Sequence, residues 1–249
     1  MSGVQAEFLA DLHIHTALSP CASREMTPPA IVARALARHM AMIAICDHNS
    51  VANVAAVQQA AGERLTVVAG CEIATVEEVH VLGLFGSLED ARQVGEKVYQ
   101  SLGDASAVYF ERFGEQSIMA LGGEIVAREK KQLACATVFT LSQAVKLITA
   151  TSGVAIACHV DRPSFSVFSQ LGVMPTDVRF DAIELSPHAT AGDRRRLEAL
   201  DLPMLASSDS HFLSDIGGTC SVLRACRPSF EELKLALAGR GGRSISPRA

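Results

Sequence analysis

Residues 8–16 of the chain read FLADLHIHT, an apolar stretch that ends in two histidines separated by one apolar residue. The short apolar run, followed by polar residues, is typical of a buried β-strand. Alternation with a period of two places His13 and His15 on one face of this strand, and Leu12 and Ile14 on the other. Two imidazoles that project side by side can hold one metal ion. The stretch therefore predicts a strand that delivers metal ligands at its carboxyl end.

Six further stretches share this length and apolar character, and helical patterns lie between them. The seven predicted strands are Phe8–His13, Met42–Cys46, Leu65–Cys71, Val79–Leu84, Val154–His159, Ala182–Leu185 and Met204–Ser207. The predicted helices are Pro28–His39, Val51–Ala61, Leu141–Thr151, Arg194–Leu200 and Phe230–Leu237. Strands that alternate with helices form a mainly parallel sheet. Seven strands in a chain of 249 residues favour closure into one barrel over two domains.

Two segments depart from this alternation. Residues 87–140 are more charged and have mostly helical patterns, so we expect a helical insertion or lid within a single domain, 1–249. The last residues, 239–249, read GRGGRSISPRA and are rich in Gly and Arg. This composition predicts a loose tail.

The composition excludes several classes of protein. Hydrophobic residues make up 49% of the chain, which is enough for a substantial core and rules out overall disorder. The net charge of −5 argues against an extended nucleic-acid partner bound through a broad basic surface. No apolar run is long enough for a membrane span, and residues 1–11 lack the pattern of a signal peptide. Seven cysteines without a CxxC motif are typical of thiols in a reducing, cytoplasmic compartment.

Six of the eight histidines lie within the predicted strands or just beyond their ends. In β/α barrels, the rim at the carboxyl ends of the strands carries the active site. A polar group at the end of a buried strand is costly unless it is paired. Six histidines with two carboxylates in such places favour a metal centre over separate, hydrogen-bonded core histidines. The histidines are His13, His15, His48, His80, His159 and His211, and the carboxylates are Glu72 and Asp209.

These residues form an ordered set of motifs. In chain order, the motifs are HxH (His13, His15), DH (Asp47, His48), GxE (Gly70, Glu72), His80, His159 and DxH (Asp209, His211). The set resembles the PHP superfamily, the polymerase and histidinol phosphatase domains, in its stand-alone bacterial phosphoesterase type. This resemblance implies an α/β fold, a distorted (β/α)7 barrel. It also implies two or three metal ions and hydrolysis of phosphate esters.

The resemblance further implies a ligand set. The first ion would be held by His13, His15, Glu72 and Asp209, the second by Glu72, His80 and His159, and the third by His48 and His211. Cys21 occupies the position where many trinuclear relatives have another histidine. Because a thiolate is a competent zinc ligand, Cys21 is either a ligand of the third ion or a loop thiol beside the site. Imidazole and carboxylate donors suit Zn, Mn or Fe better than Ca or Mg.

Three further residues are candidates for catalysis or substrate binding. Asp47 is interpreted as a group that orients an imidazole, with a helix-capping role as the alternative. Arg162, in the sequence HVDRP, either binds phosphate oxygens in bidentate fashion or forms an ordinary loop salt bridge. His188, in LSPHAT, is a candidate substrate contact, with a solvent-facing loop histidine as the alternative. Ser19 and Asn49 are weaker candidates at the same rim.

The expected function is hydrolysis of small phosphomonoesters or nucleotides by a metal-activated hydroxide, without a covalent enzyme intermediate. The expected partner is a small phosphorylated substrate, and no membrane is involved. One alternative is an exonuclease that acts on short RNA or DNA ends, for which the acidic composition offers little support. The other is a non-catalytic PHP module of a larger assembly. Degenerate modules lack ligand motifs, so the nearly complete set here favours an enzyme.

Overall fold

The computed structural model describes residues 4–248. The strands in this range are β1 (Ala6–Ile14), β2 (Met42–Ile45), β3 (Thr66–Ala74), β4 (His80–Phe85), β5 (Ser117–Met119), β6 (Ile125–Arg128), β7 (Val154–Ala157), β8 (Ala182–Leu185), β9 (Met204–Ala206), β10 (Ser221–Ala225) and β11 (Ser244–Pro247). The α-helices are α1 (Pro28–Ala37), α2 (Val54–Ala61), α3 (Leu88–Ser101), α4 (Ala107–Phe113), α5 (Leu141–Thr149), α6 (Val167–Leu171), α7 (Ala191–Leu197) and α8 (Phe230–Leu237). Each of the seven predicted strands and five predicted helices has a counterpart among them.

Nine of these strands form one sheet in the order β11-β10-β1-β2-β3-β4-β7-β8-β9, which bends into a nearly closed barrel. At one rim, the segment after β9 pairs with the end of β1. The backbone N–H of His15 donates to the carbonyl oxygen of Ser210 at 3.0 Å, and that of Ser210 donates to His13 at 3.2 Å. At the opposite end, β10 pairs with β1, and β11 lies against β9. The predicted distorted barrel of the α/β class is confirmed.

The core has two layers. One cluster fills the barrel interior with strand residues such as Leu12, Leu82 and Ile156, and the other packs the outer strand faces against the helices. Ile14 belongs to the outer cluster, so the prediction that Leu12 and Ile14 share a face is wrong. The reason is an irregularity in β1, whose register with β2 shifts between Asp11 and Ile14. Such a bulge reverses the alternation of faces along a strand.

β4 runs against the direction of its neighbours. It pairs antiparallel with both β3 and β7, whereas β1–β3 and β7–β9 pair in parallel. A reversed strand begins at the rim where parallel strands end. His80, the first residue of β4, therefore lies at the same rim as the residues that follow β1 and β2.

Residues 87–140, predicted to form a helical insertion or lid, contain helices α3 and α4 and two short strands. Helix α3 packs on β3 and β4, so it belongs to the outer layer of the barrel. Within the same segment, β5 and β6 form an antiparallel hairpin. Gly123, with φ +94°, takes a conformation in its turn that favours glycine, and the β-branched residues Ile125 and Val126 follow.

The prediction of a loose tail is wrong for residues 244–247. These residues form β11, and Ile245 packs into the interior cluster with 8% of its surface exposed. Just before β11, Arg243 donates two hydrogen bonds, of 2.7 and 2.9 Å, to the carboxylate of Glu232 on α8. The alternation of serine with isoleucine over residues 244–246 is a strand pattern that the Gly- and Arg-rich composition obscured. Residue 249 lies outside the described residues.

In residues 4–248, no helix has both the length and the apolar character that crossing a bilayer requires.

Candidate metal centre

One buried carboxylate lies at the centre of the histidine cluster. Glu72, near the end of β3, is 1% exposed. Its Oε1 atom lies 2.7 Å from His80 Nδ1 and 3.3 Å from His159 Nε2. Its Oε2 atom lies 2.8 Å from His48 Nδ1. The two oxygens face different imidazoles, which is the arrangement that a carboxylate bridging two ions needs.

A second group of donor atoms lies beside Oε2 of Glu72. The Nε2 atoms of His13 and His15 are 3.2 Å apart. Asp209 Oδ1 lies 3.2 Å from His15 Nε2 and 3.6 Å from His13 Nε2. Glu72 Oε2 lies 3.5 and 3.6 Å from the same two nitrogens. The structure thus brings together the four residues that the resemblance implies for the first ion.

Hydrogen bonds on the far side of both rings indicate their tautomers. His13 Nδ1 lies 3.0 Å from Oε2 of Glu184, a buried carboxylate that accepts when ionised. His15 Nδ1 lies 2.9 Å from the hydroxyl of Ser19, which donates its own hydrogen to Asp47 Oδ1 at 2.7 Å. In neutral rings, both Nδ1 atoms then donate and both Nε2 atoms carry a lone pair. Two lone pairs that face each other are stabilised by a cation between them.

The charges at the centre support the same interpretation. Burial raises the pKa of Glu72, but the imidazoles of His80, His48 and His13 hold that pKa well below its usual range. Burial lowers the pKa of His13, but the Glu184 and Glu72 carboxylates raise it well above its usual range. The carboxylates at the centre therefore favour a positive charge between them. Metal binding would replace the imidazole protons with a cation.

Buried polar atoms provide a test of whether metal ions fit this set of residues. Among the described residues, Glu72 Oε2 and His159 Nδ1 are buried and make no hydrogen bond, since the close contact of Glu72 Oε2 with His48 Nδ1 lacks hydrogen-bond geometry. Such atoms are rare in folded proteins and call for a partner, such as a metal ion or a water molecule. Groups of three donor atoms within 4.8 Å of one another are His13–His15–Asp209, His48–Glu72–His80, Glu72–Cys158–His159, His15–His48–His211 and His13–Cys158–Glu184. These groups consist of donors that transition-metal ions prefer, so the residues present fit bound metal.

The third implied ion has a less complete set of donors. His48 and His211 share a group with His15, but the close groups of donors in residues 4–248 do not include Cys21. Cys21, His48 and His211 all line one cavity of about 220 Å³. Although burial raises the pKa of its thiol, hydrogen bonds with His211 and His48 lower it to about 6. A thiolate beside two imidazoles is chemically suited to a metal ion.

Asp47 does not face the cavity. It is fully buried, and its carboxylate accepts hydrogen bonds from the backbone N–H of Thr16 at 2.8 Å and from the Thr16 hydroxyl at 2.7 Å. Its third donor is Ser19, which in turn contacts His15. Asp47 thus ties the end of β2 to the loop after β1. The contact of Asp47 with an imidazole is therefore indirect, through Ser19, and an orienting role for Asp47 stays a prediction.

Arg162 lies at the open edge of the centre. Its Nη1 atom donates to Asp209 Oδ2 at 2.7 Å, and 35% of its side chain is exposed. Arg162 and Asp209 line both the 220 Å³ cavity and a neighbouring cavity of about 460 Å³. His188 lines only the larger cavity. The salt bridge considered for Arg162 is present, and it joins the arginine to a predicted metal ligand.

Three residues beside the histidine cluster were not predicted from the sequence to belong to the site. Glu184 contacts His13, and its signal was a carboxylate inside the apolar strand AIEL. Cys158 lies close to both Glu72 and Glu184, where burial raises the pKa of its thiol well above the usual range. Phe165 stacks on the His80 ring at a centroid distance of 4.7 Å and lines the smaller cavity. Nothing in the sequence around Phe165 indicates this contact.

The chain matches a known domain family and is similar to a bacterial exoribonuclease. The family model described as "PHP domain" matches residues 11–161. The 5'-3' exoribonuclease Rnm of Escherichia coli (strain K12) is 34% identical over 90 residues, which are 34% of this chain and 30% of that protein. The chain therefore spans less than a third of this curated relative.

Two solved structures share the fold. The lesion-specific endonuclease PfuEndoQ from Pyrococcus furiosus matches with a TM-score of 0.76 and 20% identity, over 96% of this chain and 58% of that chain. A putative metal-dependent phosphoesterase from Bifidobacterium adolescentis matches with a TM-score of 0.55 and 20% identity, over 81% of this chain and 87% of that chain. At this identity, the likeness establishes the fold. The chain covers little more than half the length of the endonuclease.

The family match contains every motif of the predicted set except the last. It spans more than half of the chain, and the DxH motif that lies beyond it, Asp209 and His211, contributes to the same cluster in space. The relatives named above are an exoribonuclease, an endonuclease and a putative phosphoesterase. The chain belongs to the PHP domain family.

Proposed function

We propose that this chain hydrolyses phosphate esters, either small phosphomonoesters or nucleotides, at a centre of two or three Zn, Mn or Fe ions. The observation that carries the proposal is the convergence of six imidazoles and two carboxylates on one rim, with a guanidinium at its open edge. Ions held there would polarise phosphoryl oxygens and lower the pKa of a water molecule into the neutral range. Seven cysteines without a CxxC motif support the proposed cytoplasmic location.

The proposed ligands are those that the resemblance to the family implies. The first ion is assigned to His13, His15, Glu72 and Asp209, the second to Glu72, His80 and His159, and the third to His48, His211 and Cys21. In this assignment, Glu72 belongs to two ions because its Oε2 atom lies beside His13 and His15 and its Oε1 atom faces His80. Asp47 and Ser19 hold His15 in the tautomer that leaves Nε2 free.

Arg162 is proposed to bind the phosphoryl group of the substrate. A guanidinium has five N–H donors, and one of those of Arg162 is engaged by Asp209. The remaining donors are available in the cavity that Arg162 shares with Glu72 and His80. A planar guanidinium suits two phosphate oxygens at once. His188, in the adjoining cavity, is proposed to contact the leaving group.

Replacement of Arg162 tests substrate binding independently of metal binding. We expect Arg162→Ala to lower kcat/KM about tenfold to two-hundredfold, because a charge-assisted hydrogen bond contributes about 1.5–3 kcal/mol. Metal content stays at the wild-type level, since Arg162 is not a ligand. Arg162→Lys restores only part of the loss, because an ammonium keeps the charge but not the planar fork. Full kcat/KM in Arg162→Ala, measured with a phosphomonoester, would remove Arg162 from the substrate site.

Replacement of Cys21 tests the third ion. We expect Cys21→Ser to lower the occupancy of one ion and to leave KM nearly unchanged, because a hydroxyl is a poorer zinc ligand than a thiolate. Cys21→His restores the occupancy if this position supplies a ligand. Elemental analysis of the three proteins, purified in parallel, measures the effect. Wild-type metal content in Cys21→Ser contradicts the assignment.

The nuclease relatives favour a second candidate function, exonucleolytic cleavage of short RNA or DNA ends. The two candidates differ in the substrate that they require. A screen of metal-loaded protein against nucleoside monophosphates, sugar phosphates and 5'-phosphorylated oligonucleotides distinguishes them. Faster turnover of small esters than of oligonucleotides supports the first, and the reverse supports the second. No turnover of any phosphate ester by metal-loaded protein contradicts both and leaves a non-catalytic module.

A further inference from the structure

Glu184 is a carboxylate in an apolar strand. It lies in β8 between Ile183 and Leu185, which are fully buried, and is itself only 1% exposed. A buried charge in such surroundings is destabilising unless it is paired. The contacts of Glu184 therefore indicate what it does in this protein.

Glu184 contacts one proposed ligand of the first ion and one proposed ligand of the second. Glu184 Oε2 lies 3.0 Å from His13 Nδ1, on the side of the ring away from the metal centre. The same oxygen accepts a hydrogen bond of 3.3 Å from the backbone N–H of His159. His13 is assigned to the first ion and His159 to the second. One carboxylate oxygen thus contacts a proposed ligand in each of the two metal subsites.

The backbone at His159 needs such support. Its φ is +29°, a left-handed value that residues other than glycine rarely adopt. Besides the hydrogen bond to Oε2, the backbone N–H of Val160 donates to the carbonyl oxygen of Glu184 at 2.9 Å. These two bonds hold the turn in which His159 Nε2 lies 3.3 Å from Glu72 Oε1. Strained turns of this kind persist where the surrounding structure holds them, and they cluster at functional sites.

We propose that Glu184 is a positioning residue that couples the first two metal subsites, holding the His13 ring through Nδ1 and the His159 turn through the backbone. A carboxylate that accepts from a metal-bound histidine orients the ring and raises its basicity. Because the second contact is to the backbone of a ligand of the other ion, loss of Glu184 weakens both subsites together. This inference rests on the metal centre of the proposed function, but it concerns metal affinity and not turnover.

The test is a zinc titration of three metal-free variants against a competing chelator. We expect Glu184→Ala to weaken the binding of both ions about 10- to 100-fold. Glu184→Gln keeps an acceptor for His13 Nδ1 without the charge, so we expect a smaller loss, of about fivefold, for both ions. Glu232→Gln is the matched control, since Glu232 is a buried carboxylate that binds Arg243 and not a histidine. It retains wild-type zinc affinity.

Two further measurements, of thermal unfolding and of phosphate-ester turnover, distinguish a loss of metal affinity from a loss of fold or of activity. Thermal unfolding of the metal-free variants identifies any loss of fold, and Glu184→Gln provides the result if Glu184→Ala does not fold. Wild-type affinity for both ions in Glu184→Gln, or a loss confined to one ion, overturns the coupling. Zinc binding without phosphate-ester turnover in the wild type contradicts the proposed function and leaves the coupling intact.

Discussion

The Glu72→Gln variant is expected to lose both bound metal and turnover. The Oε1 atom of Glu72 faces His80 and His159, and its Oε2 atom lies 3.6 and 3.5 Å from the Nε2 atoms of His13 and His15, so one substitution affects the first two ions. Glutamine has nearly the same shape, but it removes the negative charge and places an amide N–H₂ opposite an imidazole nitrogen. We expect at least one ion fewer per chain. The expected loss in kcat/KM is about a thousandfold or more, which corresponds to about 4 kcal/mol of transition-state stabilisation.

Glu232→Gln is the control for this substitution as well. It neutralises a buried carboxylate at the opposite end of the barrel, next to β11, and leaves the histidine cluster untouched. We expect wild-type metal content and rate in this control. Glu72→Gln protein with near-normal metal content and kcat/KM would show that Glu72 does not bridge two ions.

Removal of the metal is the second change with a large expected effect. Dialysis against a chelator is expected to lower phosphate-ester turnover to background, because in the proposed mechanism the bound metal ions lower the pKa of the attacking water molecule. Addition of Zn²⁺, Mn²⁺ or Fe²⁺ to the dialysed protein restores the rate. A matched sample dialysed without chelator controls for loss of protein. Full activity after complete removal of metal would contradict the proposed mechanism.

The barrel was predictable because its strands are short apolar runs separated by helical patterns. The reversal of β4 was not, since an apolar run such as residues 80–85 has the same pattern in either direction. The irregularity near Leu12 was also hidden, because it depends on the pairing of β1 with β2 and not on composition. The strand at Ile245 was missed because the Gly- and Arg-rich composition outweighed a short alternating pattern.

The candidate site was predictable to the extent that it consists of histidines and carboxylates at strand ends. Glu72, His13 and Asp209 lie together because different strands deliver them to one rim. The supporting contacts were harder to predict. Glu184 is 171 positions from His13 in the sequence, and only the closed barrel brings their side chains to 3.0 Å. Long-range contacts of this kind follow from tertiary structure, which local patterns do not encode.

The central claim is that the rim holds a centre of several metal ions, and elemental analysis tests it most directly. Protein purified under metal-replete conditions, then freed of unbound metal by gel filtration, is measured for Zn, Mn and Fe per chain. The ligand clusters around Glu72 and His15 predict two or three ions per chain. Less than one ion per chain under these conditions would contradict the account.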